Sequence, residues 1–142
     1  MAEMAGAKDN RGGGRTWSVE AFARFWQNPD PQLAHAALTE DIVGHWSGMK
    51  APVKGRDDYV ACIEALVKAL PDVRVEVAEA ASADECTFIR WLMYATGDKG
   101  PFEIAGVDRV LLRDGIVSEN RVFVDPLLFE ERAGMKIPWS DR

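Results

Sequence analysis

The sequence has few of the residues that build metal sites and disulfide frameworks. Its 142 residues include two cysteines, Cys62 and Cys86, and two histidines, His35 and His45. Neither cysteine belongs to a CxxC motif, and only these two histidines could add imidazole ligands. We therefore expect no zinc or other metal site, and we expect both cysteines to pack in the interior as small apolar residues.

Positive charge is scarce as well. The chain carries 17 lysines and arginines against 23 acidic residues, a net charge of −6, and its sequence pI is about 4.9. No basic run or basic helix face is present that could neutralise phosphates. We therefore expect that nucleic acid is not a partner.

Long apolar runs are missing from the sequence. None approaches the ~18 residues that a membrane-spanning helix needs. The first residues also lack the charged segment and apolar segment of a secretory signal. We therefore expect no membrane partner and a location in the reducing cytoplasm.

The remaining composition is that of an ordinary folded domain, with 47% hydrophobic and 28% charged residues. A chain of this length can bury a core without metal or disulfides. Residues 1–15 are rich in glycine, alanine and charge, so we expect a flexible tail there. We assign the domain to residues 16–132 and a C-terminal tail, containing Trp139, to residues 133–142.

Hydrophobic periodicity and turn residues place helices early in the chain and strands late. The predicted order is helix 18–27, helix 30–38, strand 41–46, helix 55–70, and strands 73–80, 87–96, 107–112 and 116–124. This order is typical of an α+β fold. We expect one curved, mixed but mostly antiparallel sheet that wraps over the long third helix.

The last two strands form a hairpin that carries unexpected polar residues. Asp114-Gly115 between two apolar runs is a strong hairpin signal, because glycine supplies the positive φ that such turns need. Side chains alternate faces along a strand. We prefer the orientation of these strands in which Asp108 and Asn120 point toward the interior, on the covered face of the sheet.

The same alternation sends other polar residues of the hairpin outward. Arg109, Arg121 and Asp125 lie on the opposite face from Asp108 and Asn120, and we interpret them as structural or interface residues of the outer face.

The strand 87–96 is apolar nearly throughout, so its alternation does not show which set of side chains faces the interior. We prefer Trp91 and Met93 inside with Arg90 and Tyr94 outside, because a buried arginine costs more than a buried indole. The opposite parity would place Arg90 inside with Asp108 as its counterion.

These motifs together resemble the NTF2-like superfamily, specifically its SnoaL-like branch of small cone-shaped α+β domains. The resemblance spans roughly residues 16–130. The residues that carry it are Phe25-Trp26, Leu38-Thr39-Glu40-Asp41, Gly44-His45-Trp46, Gly55-Arg56-Asp57-Asp58-Tyr59, Leu70-Pro71-Asp72, Phe88-Ile89-Arg90-Trp91, Gly106-Val107-Asp108-Arg109, and Arg113-Asp114-Gly115 through Asn120 to Asp125.

The resemblance implies a conical sheet around an apolar pocket and a homodimer formed through the sheet's outer face. In the ketosteroid isomerases of this superfamily, a protonated pocket aspartic acid matches Asp108, and the catalytic base matches His45 or Trp46. The pocket tyrosine of their first helix matches Phe22, which has no hydroxyl group, so half of that oxyanion hole is missing.

Two other branches of the superfamily have site residues that can be matched to positions of this sequence. Limonene epoxide hydrolase uses an Asp-Arg-Asp arrangement, in which the arginine matches Arg90 but the carboxylates fall near Leu92 and Val122, so that chemistry is absent. The SnoaL-type polyketide cyclases, closest in overall character, use a pocket aspartate and histidine, for which Asp108 and His45 could stand in.

These residues define the expected site. Asp108, with a pKa raised by burial, and His45, with its tautomer fixed by Asp108, would act as acid and base, while Asn120 would orient the ligand. The expected ligand contacts are Trp26, Trp46, Trp91, Met93, Phe22 and Tyr59.

The resulting hypothesis is a pocket protein for an apolar cyclic carbonyl or hydroxyl compound. It would act as an isomerase, cyclase or dehydratase without a metal or redox cofactor. Two alternatives stay open at this point: a module that binds a small ligand without turnover, and a dimeric structural domain with a filled core.

Overall fold

Four helices and six strands make up residues 16–140, the part of the chain that the computed structural model describes. The tail predicted at residues 1–15 lies outside this range. The helices are α1 (Val19–Gln27), a 3₁₀ helix (Pro31–Ala37), α2 (Arg56–Ala69) and α3 (Pro126–Ala133). The strands are β1 (Leu38–Trp46), β2 (Val53–Lys54), β3 (Arg74–Ala83), β4 (Cys86–Gly97), β5 (Gly100–Arg113) and β6 (Ile116–Phe123).

The strands form one curved sheet in the order β2-β1-β6-β5-β4-β3. Neighbours are antiparallel except β1 and β6, which are parallel. The four later strands follow one another as hairpins, because tight turns join them. The expected α+β fold with a mixed, mostly antiparallel sheet is confirmed.

The hairpin of β5 and β6 forms as its turn residues predict. Asp114 and Gly115 have φ angles of 56° and 83°, and Arg113 pairs with Ile116 across the two-residue loop. Two successive positive φ angles match the twist of the flanking strands. The turn therefore sets the register that decides which hairpin side chains face inward.

The preferred parity of β4 is confirmed. Trp91 and Met93 are buried on the inner face, while Arg90 lies on the outer face, where its Nε is 3.0 Å from a carboxylate oxygen of Glu79. Tyr94 is also outside, with the Arg74 guanidinium 4.3 Å from its ring centre. The opposite parity, with Arg90 as the counterion of Asp108, is excluded.

Some elements differ from those predicted. The second helix is a 3₁₀ helix, and β2 was not predicted, because a two-residue strand has no alternation to detect. Cys62 is buried as expected, whereas Cys86 is half-buried, and neither forms a disulfide with another described residue. None of the helices in the described part of the chain is long and apolar enough to cross a membrane.

The C-terminal segment is packed rather than loose over its described residues. Asp125 caps α3 by accepting hydrogen bonds from the backbone N–H groups of Leu127 and Leu128. The Trp139 ring lies 5.1 Å from that of Phe129, and its Nε1 donates to the Ser47 carbonyl at 2.8 Å. The tail predicted at 133–142 therefore extends the domain instead, at least to Ser140.

Replacing Trp139 with alanine should lower the free energy of unfolding by about 3 kcal/mol, because a buried aromatic ring leaves a cavity. Urea unfolding followed by circular dichroism measures this change. Leu127→Ala is the control, since Leu127 is 78% exposed and its replacement should change stability by less than about 0.5 kcal/mol. Equal effects of the two substitutions would contradict the packing of the C-terminal segment.

Candidate functional site

A cavity of about 310 Å³ lies between the inner face of the sheet and the helices that cover it. Its lining is mostly aromatic and aliphatic, and its size is at the lower end of the range for small-molecule sites. The six side chains expected to contact a ligand all line it: Trp26, Trp46, Trp91, Met93, Phe22 and Tyr59. Trp139, which the sequence did not assign to the site, lines it as well.

Three polar side chains from three elements meet in the wall of this cavity. Asp108 on β5 and Asn120 on β6 share the inner face as diagonal neighbours, since Asn120 pairs with Val110 and Asp108 pairs with Val122. Tyr59 reaches them from α2. These three residues, called here the polar cluster, are 5%, 7% and 4% exposed respectively.

Asp108 is a buried carboxyl group with two hydrogen-bond donors, and it forms no ion pair with any residue between 16 and 140. Trp91 Nε1 donates to its Oδ1 at 2.8 Å, and Asn120 Nδ2 donates to its Oδ2 at 3.0 Å. Burial raises the pKa of Asp108 to about 6, although the hydrogen bonds from Asn120 and Trp91 act in the opposite direction. Both protonation states are therefore accessible near neutral pH.

The Tyr59 hydroxyl accepts two hydrogen bonds and keeps its own proton free. Asn120 Nδ2 donates to Tyr59 Oη at 2.6 Å and Trp46 Nε1 donates to it at 3.3 Å. Burial and the charge of Asp108 raise the pKa of Tyr59 above its usual value, so it stays protonated. Since no acceptor for its proton is found among residues 16–140, the hydroxyl can donate to a bound molecule.

Asn120 connects the two ionisable groups. Its Nδ2 donates to both Tyr59 and Asp108, which uses both amide protons. Its Oδ1 is buried and has no hydrogen-bond partner among the described residues. Asn120 therefore fixes the separation of the carboxyl and hydroxyl groups.

Two glycines make room for the aromatic partners of the polar cluster. A Cβ atom added at Gly44 would lie 2.3 Å from the Tyr59 ring, and one added at Gly106 would lie 2.3 Å from the Trp91 ring. Any larger residue at these positions would displace the rings that reach the cluster. The sequence pattern predicts no role for either glycine, because the space that each leaves for a ring matters only once the helix and strands pack together.

His45 does not join the polar cluster. The inward positions of β1 are Ile42, Gly44 and Trp46, so His45 lies on the outer face of the sheet, where it pairs with Arg121 on β6. It is not among the residues that line the cavity. The expectation that His45 acts as the base beside Asp108 is therefore corrected, because the position is one residue out of phase with the inner face.

The hydroxyl group that sequence comparison found missing at Phe22 comes from a different element. Phe22 lines the cavity on α1, and Tyr59 supplies a buried hydroxyl from α2. Periodicity predicts Tyr59 on the covered face of its helix, but not which polar atoms its hydroxyl meets. The described residues contain no group of three or more His, Cys, Asp or Glu side chains that could hold a metal ion.

Comparisons with known proteins agree with this fold. A family model described as the SnoaL-like domain matches residues 19–120. No curated protein matches the sequence.

One similar solved structure is a hypothetical protein of Catenulispora acidiphila DSM 44928 with a ketosteroid isomerase-like fold, in complex with trimethylamine. It is 16% identical to this protein, the match covers 85% of this chain and 95% of that one, and the TM-score is 0.74. A candidate SnoaL-like polyketide cyclase of Jannaschia sp. CCS1 has 18% identity over 81% and 90% of the chains, with a TM-score of 0.71. AclR, a candidate hydroxylase of Streptomyces galilaeus, has 20% identity over 82% and 78%, with a TM-score of 0.69.

The buried carboxyl group predicts a pH-dependent stability difference between the protein and an Asp108→Asn variant. The raised native pKa means that the folded protein holds this proton more tightly than the unfolded chain does, so the penalty for burying the charge is complete above about pH 6 and fades toward pH 4. The stability of the variant relative to the wild type should therefore rise by about 2–3 kcal/mol between pH 4 and pH 8.

Urea unfolding at several pH values measures this difference. Asp98→Asn, which removes an exposed carboxylate, controls for the change in net charge. A difference between wild type and Asp108→Asn that does not vary with pH would show that Asp108 is not a buried, weakly acidic group.

Proposed function

The chain belongs to the family of SnoaL-like domains, and on this premise we propose that it binds an apolar cyclic carbonyl or hydroxyl compound and acts on it by acid/base chemistry. The observation that carries this proposal is Asp108, a buried carboxyl group that lies in the wall of an aromatic cavity and pairs with no cation in the described part of the chain. A group with a pKa of about 6 can take up and release protons near neutral pH.

Proton transfer at carbon is the step that the polar cluster suits best. The Asp108 carboxylate removes a proton from a carbon next to the ligand's carbonyl group. The electron pair of that C–H bond moves into the carbonyl, which becomes an enolate, and Asp108 becomes a neutral acid. The acid then returns the proton to the same carbon or to another carbon of the conjugated system, and the second outcome is an isomerisation.

Tyr59 is the group that would stabilise the enolate. Its hydroxyl proton is free, and the hydrogen bonds that it accepts from Asn120 and Trp46 hold the oxygen in place. Donation to a developing oxyanion in a site shielded from water is worth more than the same bond in water. Asn120 is a positioning residue here, because it links Tyr59 to Asp108 and holds both at fixed separation.

The aromatic side chains that line the cavity have a separate role in the proposed reaction. Trp46 and Trp91 each donate a hydrogen bond to the polar cluster while their rings line the cavity. Stacking surfaces of this kind favour flat or cyclic ligands, and they keep water away from the enolate. In the cyclase form of the chemistry, the enolate carbon attacks a second carbonyl group, whose oxygen takes up the proton from Asp108. In the dehydratase form, the enolate expels a β-hydroxyl group, which takes the proton from Asp108 and leaves as water.

Binding without turnover is the second candidate, and the position of His45 favours it. With His45 on the outer face, Asp108 is the only carboxyl or imidazole group among the described residues that line the cavity. A reaction that needs separate acid and base groups would have to use Asp108 for both. The names of the similar structures, a candidate cyclase and a candidate hydroxylase, agree with chemistry in this fold without deciding between the two functions.

We also propose a homodimer formed through the outer face of the sheet. Phe88 and Phe123 lie on this face and are 38% and 48% exposed. Val107 pairs with Phe123, so these two apolar side chains lie side by side on neighbouring strands. Apolar surface of this kind is typical of interfaces. Cys62 and Cys86, which form no disulfide among the described residues, agree with the proposed location in the cytoplasm.

Hydrogen–deuterium exchange at carbon tests the proposed chemistry before a substrate is known. In D₂O, the protein should accelerate deuterium incorporation next to the carbonyl of cyclic ketones such as 2-tetralone or 3-cyclohexenone, measured by NMR. Asp108→Asn should lower the exchange rate by about 100-fold or more. Tyr59→Phe should lower it by about tenfold or more. The rate should rise with pH through about 6, because the carboxylate is the base.

His45→Ala is the matched control, and it should leave the exchange rate unchanged because His45 faces away from the cavity. Tryptophan fluorescence titration of the same ketones gives their affinities. Ketones that bind without any exchange, or exchange that survives Asp108→Asn, would contradict the enzyme proposal. Binding without exchange would support the binding module instead.

The dimer predicts a change in oligomeric state when its apolar surface is charged. Phe88→Glu combined with Phe123→Glu should convert a dimer to a monomer in sedimentation velocity experiments, because a charge would be buried in the interface. Leu127→Glu is the control, since Leu127 is 78% exposed and lies on α3 rather than on a strand of the sheet. A wild-type monomer, or a dimer unaffected by both phenylalanine substitutions, would show that this face is not the interface.

A further inference from the structure

The open end of the cavity differs in charge from its closed end. Asp108 and the rest of the polar cluster are buried, whereas Arg24, Leu33 and Ala36 line the same cavity and are exposed to solvent. Arg24 lies on α1 and the other two on the 3₁₀ helix, so the mouth opens between these helices. The cavity therefore runs from an exposed arginine to a buried carboxyl group.

Arg24 has no hydrogen bond or ion pair with any of the described residues. Other arginines of the described chain have an acidic partner: Arg90 has Glu79, Arg109 has Glu119 and Arg113 has Asp41. Arg24 is also the only cationic residue among the described residues that line the cavity. A guanidinium at the rim of an apolar site is thus available to an anion of the ligand.

We propose that the ligand is an amphipathic acid, whose apolar cyclic body fills the cavity and whose carboxylate or similar anionic group pairs with Arg24 at the mouth. This inference rests on the proposed ligand-binding function of the cavity. An arginine suits a carboxylate because its fork of N–H groups can donate two parallel hydrogen bonds. The anion keeps part of its hydration at the exposed rim, which avoids the cost of burying it.

Charge at the two ends would also fix the direction in which the ligand enters. A carboxylate at the closed end would meet the Asp108 carboxyl group, and repulsion and desolvation would both oppose it. The carbonyl or hydroxyl end of the ligand therefore faces Tyr59 and Asp108, and the anionic end faces Arg24. Screening limits this effect to about 8 Å at physiological salt, so Arg24 acts locally although the protein carries a net charge of −6.

A pair of fluorescent probes with the same aromatic body tests this inference. 1-Anilinonaphthalene-8-sulfonate is anionic, and N-phenyl-1-naphthylamine is its neutral counterpart. Arg24→Gln should weaken binding of the anionic probe by about threefold to fivefold, the range for an exposed ion pair, and should leave the neutral probe unaffected. Arg24→Lys should retain most of the affinity for the anionic probe, and high salt should reduce the advantage of the wild type.

Arg121→Gln is the matched control, because Arg121 is also exposed but lies on the outer face of the sheet. It should leave binding of both probes unchanged, and each probe should displace the other, as expected for one shared cavity.

The outcomes separate this inference from the proposed function. Equal effects of Arg24→Gln on both probes, no effect on either, or failure of the probes to compete would overturn the inference while leaving the cavity as a binding site. Tighter binding of the neutral probe than of the anionic one by the wild type would also overturn it. Failure of both probes to bind would overturn the proposed binding function, and this inference with it.

Discussion

The rest of this structure depends on one constraint, a buried carboxyl group that has no cation partner among the described residues. An isolated charge in an apolar interior is expensive, so Asp108 must either hold a proton or receive hydrogen bonds from its surroundings. Trp91 and Asn120 each supply one such bond. Two donors do not replace the hydration that burial removes, and the pKa of the group settles at about 6 as a result. The partial compensation leaves the group able to change its protonation state near neutral pH, because full compensation by a cation would hold it permanently ionised.

Close packing of large side chains makes this arrangement possible. An indole reaches Asp108 only because β5 carries glycine at position 106, and the Tyr59 ring fits against β1 only because position 44 is also glycine. Each of these aromatic residues then has two roles, since its ring lines the cavity and its polar atom takes part in the hydrogen-bond network. Tyr59 and Trp46 show this coupling directly, with rings 5.9 Å apart and a hydrogen bond between their polar atoms. The packing of the core and the chemistry of the site therefore rest on the same side chains.

Much of the fold and part of the site follow from local rules in the sequence. The Asp114-Gly115 turn sets the register of its hairpin, and the two-residue period of the strands then places Asp108, Asn120 and Trp91 inside. The same period explains the error at His45, since a shift of one residue moves a side chain to the opposite face. Trp139, the free hydroxyl of Tyr59 and the space at the two glycines depend on contacts between distant elements, which no local pattern encodes.

The stability of the domain and the ability of Asp108 to exchange a proton near neutral pH are opposed. Holding the charged carboxylate in the interior costs about 3 kcal/mol at a pH well above 6, a large share of the 5–15 kcal/mol that stabilises a typical domain. An apolar residue at this position would avoid that cost, but it would leave the Trp91 indole N–H and one amide proton of Asn120 buried without their acceptor. The aromatic walls offset the cost through their own burial, and their burial is also what raises the pKa. Stronger packing around Asp108 would thus raise its pKa further. The ionised fraction at neutral pH would then be smaller, and the carboxylate would be a stronger base. The composition of the wall therefore sets both the stability of the fold and the pH range in which Asp108 can accept a proton.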